Sequence, residues 1–197
     1  MIKFMGPKIR FNCVLCGECC RRYWITVTLD DLVDIYLNLG LLPSSVSALY
    51  PKAVAGDWGY PAIKLCDGRE YYLVLRKKLD GSCIFTKWVN GGLICSIHNY
   101  KPLTCRYYPY IYRPGSVVTM ELYDGAIGYC PGIGKGNYYD LSREAATVAL
   151  SISSKKRLEE FVSKWNKEDA EQGDLSTFMK RLDKEVMRLA ASRASSS

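Results

Sequence analysis

The sequence contains a single histidine, His98, among its 197 residues. One histidine nearly excludes a pair of metal sites that each use two cysteines and two histidines. Neither a Cys–His nucleophile pair nor a pair of catalytic carboxylates stands out, so the sequence does not decide whether the chain is an enzyme. A lone histidine is more often a hydrogen-bonded structural residue than a ligand, and we interpret His98 in that way.

Long apolar runs are also absent. No stretch approaches the ~18 apolar residues of a membrane span, and the N-terminal segment M-I-K-F-M-G-P-K-I-R-F lacks the apolar core of a secretory signal. We therefore expect a cytoplasmic protein without a membrane partner. Thiols stay reduced in that compartment, so disulfides are the weaker interpretation of the cysteines.

Cysteine, in contrast, is abundant. Four of the nine cysteines fall within eight residues, in F-N-C-V-L-C-G-E-C-C, where a C-x-x-C turn lets two sulfurs reach one ion. We expect the fourth, Cys20, to point away from Cys19, because neighbouring side chains do not share a face. Cys66, in L-C-D-G, is predicted to be a spare thiol. The remaining eight are the predicted metal ligands: Cys13, Cys16, Cys19, Cys20, Cys83, Cys95, Cys105 and Cys130.

Eight thiols are enough for two four-sulfur sites, a donor set that zinc and iron–sulfur clusters prefer. The formal charge of +7 counts each cysteine as a neutral thiol. Eight thiolates add eight negative charges, and two Zn²⁺ ions or two [4Fe–4S]²⁺ cores return four positive ones, so the loaded chain would carry +3. Buried anionic sites require compensation, and the basic residues beside the cysteines suit that role: Arg21, Arg22, Lys101 and Arg106.

The pattern of apolar residues and turn signals predicts an α+β fold. Thr28 is a helix cap and Gly40 ends that helix. The turn signals Asp80-Gly81 and Asn90-Gly91 predict a short antiparallel β-meander over 70–97, with Cys83 on its second strand and Cys95 on its third. The glycine-rich segment P-G-I-G-K-G-N is interpreted as a linker.

The composition changes after residue 139, since no cysteine follows Cys130. Two amphipathic helices, over 142–169 and 175–191, are predicted to form a C-terminal helical hairpin. The expected organisation is a small cysteine-rich, metal-bound domain over 1–139, a hairpin appendage over 140–191 and a disordered tail over 192–197.

Several segments together resemble the CxxCxxCC family of zinc- or iron-chelating proteins. They are F-N-C-V-L-C-G-E-C-C, T-L-D-D, G-S-C-I-F, C-S-I-H-N-Y-K-P-L-T-C-R-Y-Y-P and the late Cys130, and they cover roughly 11–131 with no ligand missing. Longer relatives, similar to flagellin lysine N-methylases, are associated with an iron–sulfur cluster. Those proteins are much longer than this chain, so their activity does not carry over automatically.

Zinc and iron–sulfur remain alternatives at the two sites. C-x-x-C-x-x-C followed by a remote C-P resembles the bacterial ferredoxin arrangement, which favours iron–sulfur, of the [4Fe–4S] type, for at least one site. In that arrangement one cluster takes Cys13, Cys16, Cys19 and Cys130, and the other four thiols form a second site. The alternative is zinc bound at structural sites that stabilise the fold.

Three functions follow from these patterns. The first is a metal-binding protein with a redox role or an accessory role in protein modification, acting with an unidentified protein partner or substrate. The second is an enzyme similar to the S-adenosylmethionine-dependent lysine methylases. The third is a zinc-stapled adaptor for nucleic acid or protein. Tyrosines and arginines between Tyr100 and Arg113 could stack on a single strand, but core packing is the favoured interpretation.

Overall fold

The computed structural model describes residues 2–5, 8–113, 115–138 and 141–195. It has a mixed α+β architecture with several small sheets and C-terminal helices. The helices are α1 (Glu18–Arg22), α2 (Leu29–Leu39), α3 (Pro43–Val46), α4 (Lys52–Ala55), α5 (Leu103–Arg106), α6 (Leu141–Glu168) and α7 (Leu175–Ala194). The strands are β1 (Ile2–Phe4), β2 (Arg10–Phe11), β3 (Ser47–Pro51), β4 (Ile63–Lys64), β5 (Glu70–Leu75), β6 (Thr86–Val89), β7 (Gly92–Cys95), β8 (Tyr110–Arg113), β9 (Val118–Leu122) and β10 (Ile133–Tyr138).

The chain folds into two compact units, and each is built from two separate stretches of sequence. Unit 1 comprises Met1–Tyr23 and Lys77–Ser151, and unit 2 comprises Trp24–Arg76 and Ile152–Ser197. The linear division at residues 139 and 140 therefore stays a prediction about which parts fold independently. Helix α7 runs to Ala194, which lies inside the tail for which disorder is predicted, and residues 196 and 197 lie outside the described residues.

Unit 2 is organised around a three-stranded sheet with the order β3-β5-β4, and helix α2 packs against α7. Strand β5 is buried at four consecutive positions, Tyr72 to Leu75. Helix α2 begins at the predicted cap, where the Thr28 hydroxyl accepts a hydrogen bond from the Asp31 amide, and it ends at Gly40 in the left-handed region. Within the described residues, the structure contains no helix with the length and hydrophobicity that crossing a bilayer requires.

Trp165 is the largest fully buried side chain of unit 2. Its indole Nε1 donates a 2.7 Å hydrogen bond to the Lys64 carbonyl, its ring meets Phe178 edge-on at 5.1 Å, and any side chain at Gly173 would clash with it. We expect Trp165→Ala to lower the free energy of unfolding by ~3–5 kcal/mol, because it leaves a cavity and an unsatisfied carbonyl. Urea titration followed by circular dichroism measures the change.

The matched control for this substitution is Trp88→Ala. Trp88 is 59% exposed, so its removal should change the unfolding free energy by no more than about 0.5 kcal/mol. An equal effect of the two substitutions would contradict the packing described for Trp165.

The described residues of unit 1 form three small sheets. Strands β8 and β9 form an antiparallel pair to which β1 adds in parallel, β6 pairs with β7, and β10 pairs with β2. The glycine-rich segment predicted to be a linker is thus strand β10. The predicted turn at Asn90-Gly91 is confirmed, since both residues have positive φ and join β6 to β7.

The predicted β-meander over 70–97 is wrong. Strand β5 pairs with β3 on one edge. On the other edge β4 pairs with Glu70 and Tyr71 and Thr26 bridges to Val74, so neither edge is open to the chain that follows Asp80-Gly81. That turn does form, with the Lys78 amide donating to the Ser82 carbonyl at 2.7 Å. It closes only an isolated bridge between Lys77 and Cys83, and Cys83 lies on no named strand.

Candidate metal centre

The first four cysteines are positioned by a loop that docks on the β6–β7 hairpin. Gly17 is the N-cap residue of α1 and has a φ of +71°, and a Cβ there would lie 2.7 Å from the Leu93 carbonyl oxygen. Only glycine combines this backbone with so close an approach. The result is that Cys19 and Cys20 lie on the first turn of a short helix beside β7, which ends at Cys95.

The later cysteines reach the same region through backbone contacts. The Cys83 amide donates to the Cys20 carbonyl at 2.9 Å, which ties the Asp80-Gly81 turn to α1. Pro102 precedes α5, which carries Cys105.

Cys130 is brought to the N-terminal loop by a separate contact. The Asn12 amide donates to the Gly132 carbonyl at 3.2 Å, and a side chain at Gly132 would clash with the Asn12 backbone. The chain next to Cys130 is therefore held against the chain next to Cys13.

Seven of the eight predicted ligands surround one cavity of about 60 Å³ in unit 1. Besides cysteine, the lining contains apolar side chains and a few titratable groups. The lining residues are Phe11, Cys13, Val14, Leu15, Cys16, Gly17, Glu18, Cys19, Cys20, Cys95, His98, Lys101, Cys105, Tyr108 and Cys130. The eighth cysteine, Cys83, is buried but does not line this cavity, and Cys66 is exposed and belongs to unit 2.

The thiols are close together without adopting a complete coordination geometry. Within the described part of the chain, no group of three or more His, Cys, Asp or Glu side chains is arranged so that it could hold a metal ion. The assignment of the eight cysteines as ligands therefore stays a prediction, supported by the chemistry of the donor set around the cavity.

Cys19 and Cys20 are closer than expected. Their sulfurs are 3.9 Å apart, so the expectation that Cys20 points away from Cys19 is wrong. Two thiolates bound at ~2.3 Å to one tetrahedral ion are ~3.8 Å apart, so this separation also suits a shared ion. Rotation about the Cα–Cβ bonds brings the two sulfurs together although their Cα atoms are adjacent on α1.

Hydrogen bonding among the thiols separates their pKa values. A hydrogen bond from Cys20 lowers the pKa of Cys19, and a second such contact lowers the pKa of Cys95 to about 7. The pKa of Cys20, the shared donor, is raised by the same contacts. Thiolates are the metal-binding form, so Cys19 and Cys95 are prepared for ligation.

Burial acts in the opposite direction on three other thiols. It raises the pKa of Cys83 to about 11 and raises the pKa of Cys105 and Cys16 as well. The negative charges of Cys19, Cys130 and Cys13 add to the effect on Cys16, whereas those of Cys19, Cys83 and Cys95 add to the effect on Cys105. A bound cation would reverse this effect, since a coordinating thiol is deprotonated outright.

Lys101 is the basic residue that lines the cavity, and its positive charge contributes to the lowered pKa values of Cys19 and Cys95. Arg106 donates a 2.7 Å hydrogen bond to the Lys101 carbonyl and so supports its backbone. The sequence analysis also predicted charge compensation by Arg21 and Arg22. These two residues do not line the cavity and instead pair with Glu18.

His98 and Tyr108 line the cavity, although the sequence assigned neither to the site. Burial and the charge of Lys101 lower the pKa of His98, which favours its neutral form. Burial and the charge of Cys130 raise the pKa of Tyr108. The proximity of both residues to Cys95 and Cys105 in sequence is the only signal that could have indicated them.

Comparison with known families agrees with this site. Residues 12–131, more than half of the chain, match the family model CxxCxxCC, "Putative zinc- or iron-chelating domain". The match begins one residue before Cys13 and ends one residue after Cys130, so it contains all eight clustered cysteines. No curated protein and no solved structure matches the chain. On this match, which supports metal binding, the chain belongs to the CxxCxxCC family of zinc- or iron-chelating domains.

Proposed function

We propose that the eight clustered cysteines hold metal at two all-thiolate sites, that at least one site holds an iron–sulfur cluster, and that the protein has a redox role or an accessory role in protein modification. The observation that carries the proposal is the single cavity surrounded by seven thiols, with the eighth thiol buried beside them. Soft thiolate ligands select zinc and iron–sulfur clusters over harder cations.

The electrostatic contacts among the thiols support a division into two groups. Cys16 interacts with Cys13 and Cys130. A hydrogen bond between the backbone next to Cys13 and the backbone next to Cys130 holds these two segments together. Cys105 interacts with Cys83 and Cys95 instead.

The last two cysteines lie between these groups. Cys20 contacts both Cys19 and Cys95, and Cys19 interacts with Cys16 as well as with Cys105. We assign Cys20 to the group of Cys83, Cys95 and Cys105, and the C-x-x-C-x-x-C spacing assigns Cys19 to the other group.

The surroundings of the cavity are compatible with a redox centre. Phe11, Val14 and Leu15 contribute apolar side chains to the lining, and the apolar shell around an iron–sulfur cluster tunes its potential. A cluster bound there would supply one-electron transfer. Lys101 would offset part of the negative charge of the thiolates.

Metal and sulfide analysis of anaerobically purified protein tests the proposal. We expect brown protein with charge-transfer absorbance in the visible blue. The expected content is about eight iron atoms and eight sulfides per chain for two [4Fe–4S] clusters, or about four of each with one zinc ion for a mixed pair.

Colourless protein with about two zinc ions per chain would overturn the iron–sulfur part and leave two structural zinc sites. Protein without bound metal would overturn the whole proposal. Calorimetry of the loaded protein with S-adenosylmethionine separates the proposed role from a methylase-like activity, since tight binding would favour the enzyme.

A further inference from the structure

Two exposed aromatic rings on the surface of unit 1 each contact an arginine, and a carboxylate pairs with both arginines. The Arg21 guanidinium lies 5.6 Å from the centre of the Trp88 ring, and the Arg22 guanidinium lies 3.8 Å from the centre of the Tyr129 ring. Glu18 connects the two pairs, at 3.8 Å from Arg21 and 3.3 Å from Arg22. We call these five residues the Arg–aromatic strip.

The strip is accessible to a ligand. Trp88 is 59% exposed and Tyr129 is 53% exposed, and the arginine side chains are 46% and 43% exposed. The exposed part of each ring is apolar surface that a base could cover. Helix α1 carries both arginines, strand β6 carries Trp88, and the turn before Cys130 carries Tyr129.

The net charge of the chain is concentrated in the same unit. Unit 1 contains 13 of the 27 Lys and Arg residues but 6 of the 20 Asp and Glu residues, whereas unit 2 contains 14 of each. On the formal count, in which each cysteine is a neutral thiol, unit 1 therefore carries the whole charge of +7, and two loaded four-thiolate sites in unit 1 would reduce it to +3. Within the strip, two guanidiniums share the single carboxylate of Glu18, so the strip has a net positive charge.

We propose that the Arg–aromatic strip binds single-stranded nucleic acid. Bases stack on aromatic rings and on guanidinium planes without regard to sequence, and the same guanidiniums attract phosphates. The tyrosines that the sequence suggested for this role are a different set, and of these Tyr107 and Tyr110 are buried. The proposal does not depend on which metal the protein holds, because no residue of the strip is a proposed ligand.

A protein partner fits the strip less well. The centre of a protein–protein interface is depleted of charged residues, whereas here two arginines and Glu18 lie between the rings. A single strand has a negative charge at every phosphate and a flat base at every sugar, which suits a surface with a ring at each end and a net positive charge between them.

Fluorescence anisotropy with the full-length, metal-loaded chain tests the proposal. The probes are fluorescein-labelled oligouridylate and oligothymidylate of about 15 nucleotides, a length that suits one binding module. We expect saturable binding that weakens with added KCl. Trp88→Ala and Tyr129→Ala should each weaken it by about 5- to 150-fold. Replacing Arg21 and Arg22 by glutamine should reduce the slope of log K against log salt by about 1.4.

The matched control is the other exposed pair of cation and ring. In unit 2, the Lys155 amine lies 5.3 Å from the centre of the Tyr60 ring, and the double substitution Tyr60→Ala with Lys155→Gln should leave binding unchanged. A preference for oligouridylate over oligothymidylate would identify RNA as the ligand, through its 2′-hydroxyl.

Several outcomes would overturn the proposal. They are an absence of saturable binding, equal affinity of the parent and the Trp88→Ala variant, and tighter binding of a glutamate-rich peptide than of either oligonucleotide. Metal content is measured in every variant. Loss of binding only in variants that also lose metal would show that the strip is not the binding surface, whereas loss of binding with full metal content supports it.

Discussion

Removing the metal is expected to unfold unit 1 and to leave unit 2 folded. Structural zinc contributes ~10–16 kcal/mol to the folding of small domains at pH 7, a term as large as the whole stability of a typical domain. Anaerobic incubation with a chelator, followed by hydrogen–deuterium exchange, measures the effect segment by segment.

The cores of the two units explain why their responses should differ. Of the twelve largest fully buried side chains among the described residues, only Ile97 and Met120 belong to unit 1. The sheets of unit 1 have two or three short strands, and isolated two-stranded hairpins are marginally stable at best. Bound metal would connect these parts, because the cysteines are spread over loops, two short helices and the end of β7.

Four backbone hydrogen bonds serve as reporters of this difference. The amides of Asn12 and Cys83 bond across the proposed centre in unit 1, and we expect both to lose protection when metal is removed. The amides of Val27 and Leu75 bond within unit 2, to Leu73 and Ile25, and should keep theirs. Unchanged protection of Asn12 and Cys83 after complete removal of metal would show that unit 1 folds without it.

Local sequence signals predicted the elements of the fold that depend on short-range contacts. The cap at Thr28, the stop at Gly40 and the turn at Asn90-Gly91 each need only neighbouring residues, and all three occur as predicted. The C-terminal helices follow in the same way from their helical periodicity.

Long-range pairing was not predictable from these signals. Strand β5 has a strong strand pattern, but its choice of β3 and β4 as partners depends on contacts with residues up to 28 positions earlier, at Ser47. The two units alternate along the chain, and no local signal marks their boundaries at Tyr23 and Lys77. A turn signal at Asp80-Gly81 indicates a reversal of the chain without indicating how many residues pair on each side.

The candidate site was predictable as a set of residue types but not as a geometry. The cysteine pattern identified seven of the residues that line the cavity, together with Cys83, which does not line it. The positions of these cysteines depend on two backbone contacts, the hydrogen bond from Asn12 to Gly132 and the close approach of Gly17 to Leu93. Each contact joins residues more than 70 positions apart, and the spacing of the cysteines does not indicate it. The same limit applies to the Arg–aromatic strip, whose rings lie 67 and 107 residues after the arginines they contact.

Single Cys→Ser substitutions are expected to remove one metal site and to leave the other. Cys16→Ser and Cys130→Ser should abolish the same site, because we assign their interacting thiols to one group. Cys83→Ser and Cys105→Ser should abolish the second. The physical reason is that a four-thiolate site with one ligand removed loses much of its affinity, while a separate site keeps all four of its ligands.

Double variants make the grouping measurable as metal per chain. Cys16→Ser combined with Cys130→Ser should lose no more metal than either alone, whereas Cys16→Ser combined with Cys105→Ser should lose both sites. The matched control is Cys66→Ser, which replaces the exposed cysteine of unit 2 and should leave metal content unchanged.

Cys19→Ser decides where the boundary between the two sites lies. Its sulfur is 3.9 Å from that of Cys20, yet we assign it to the site of Cys16 and Cys130. If that assignment holds, Cys19→Ser combined with Cys16→Ser retains one site. Loss of both sites in that double variant would mean that Cys19 and Cys20 share an ion. Loss of both sites in every single variant would mean either that all eight thiolates form one centre or that unit 1 needs both sites to fold, and hydrogen–deuterium exchange at the amides of Asn12 and Cys83 separates these two cases.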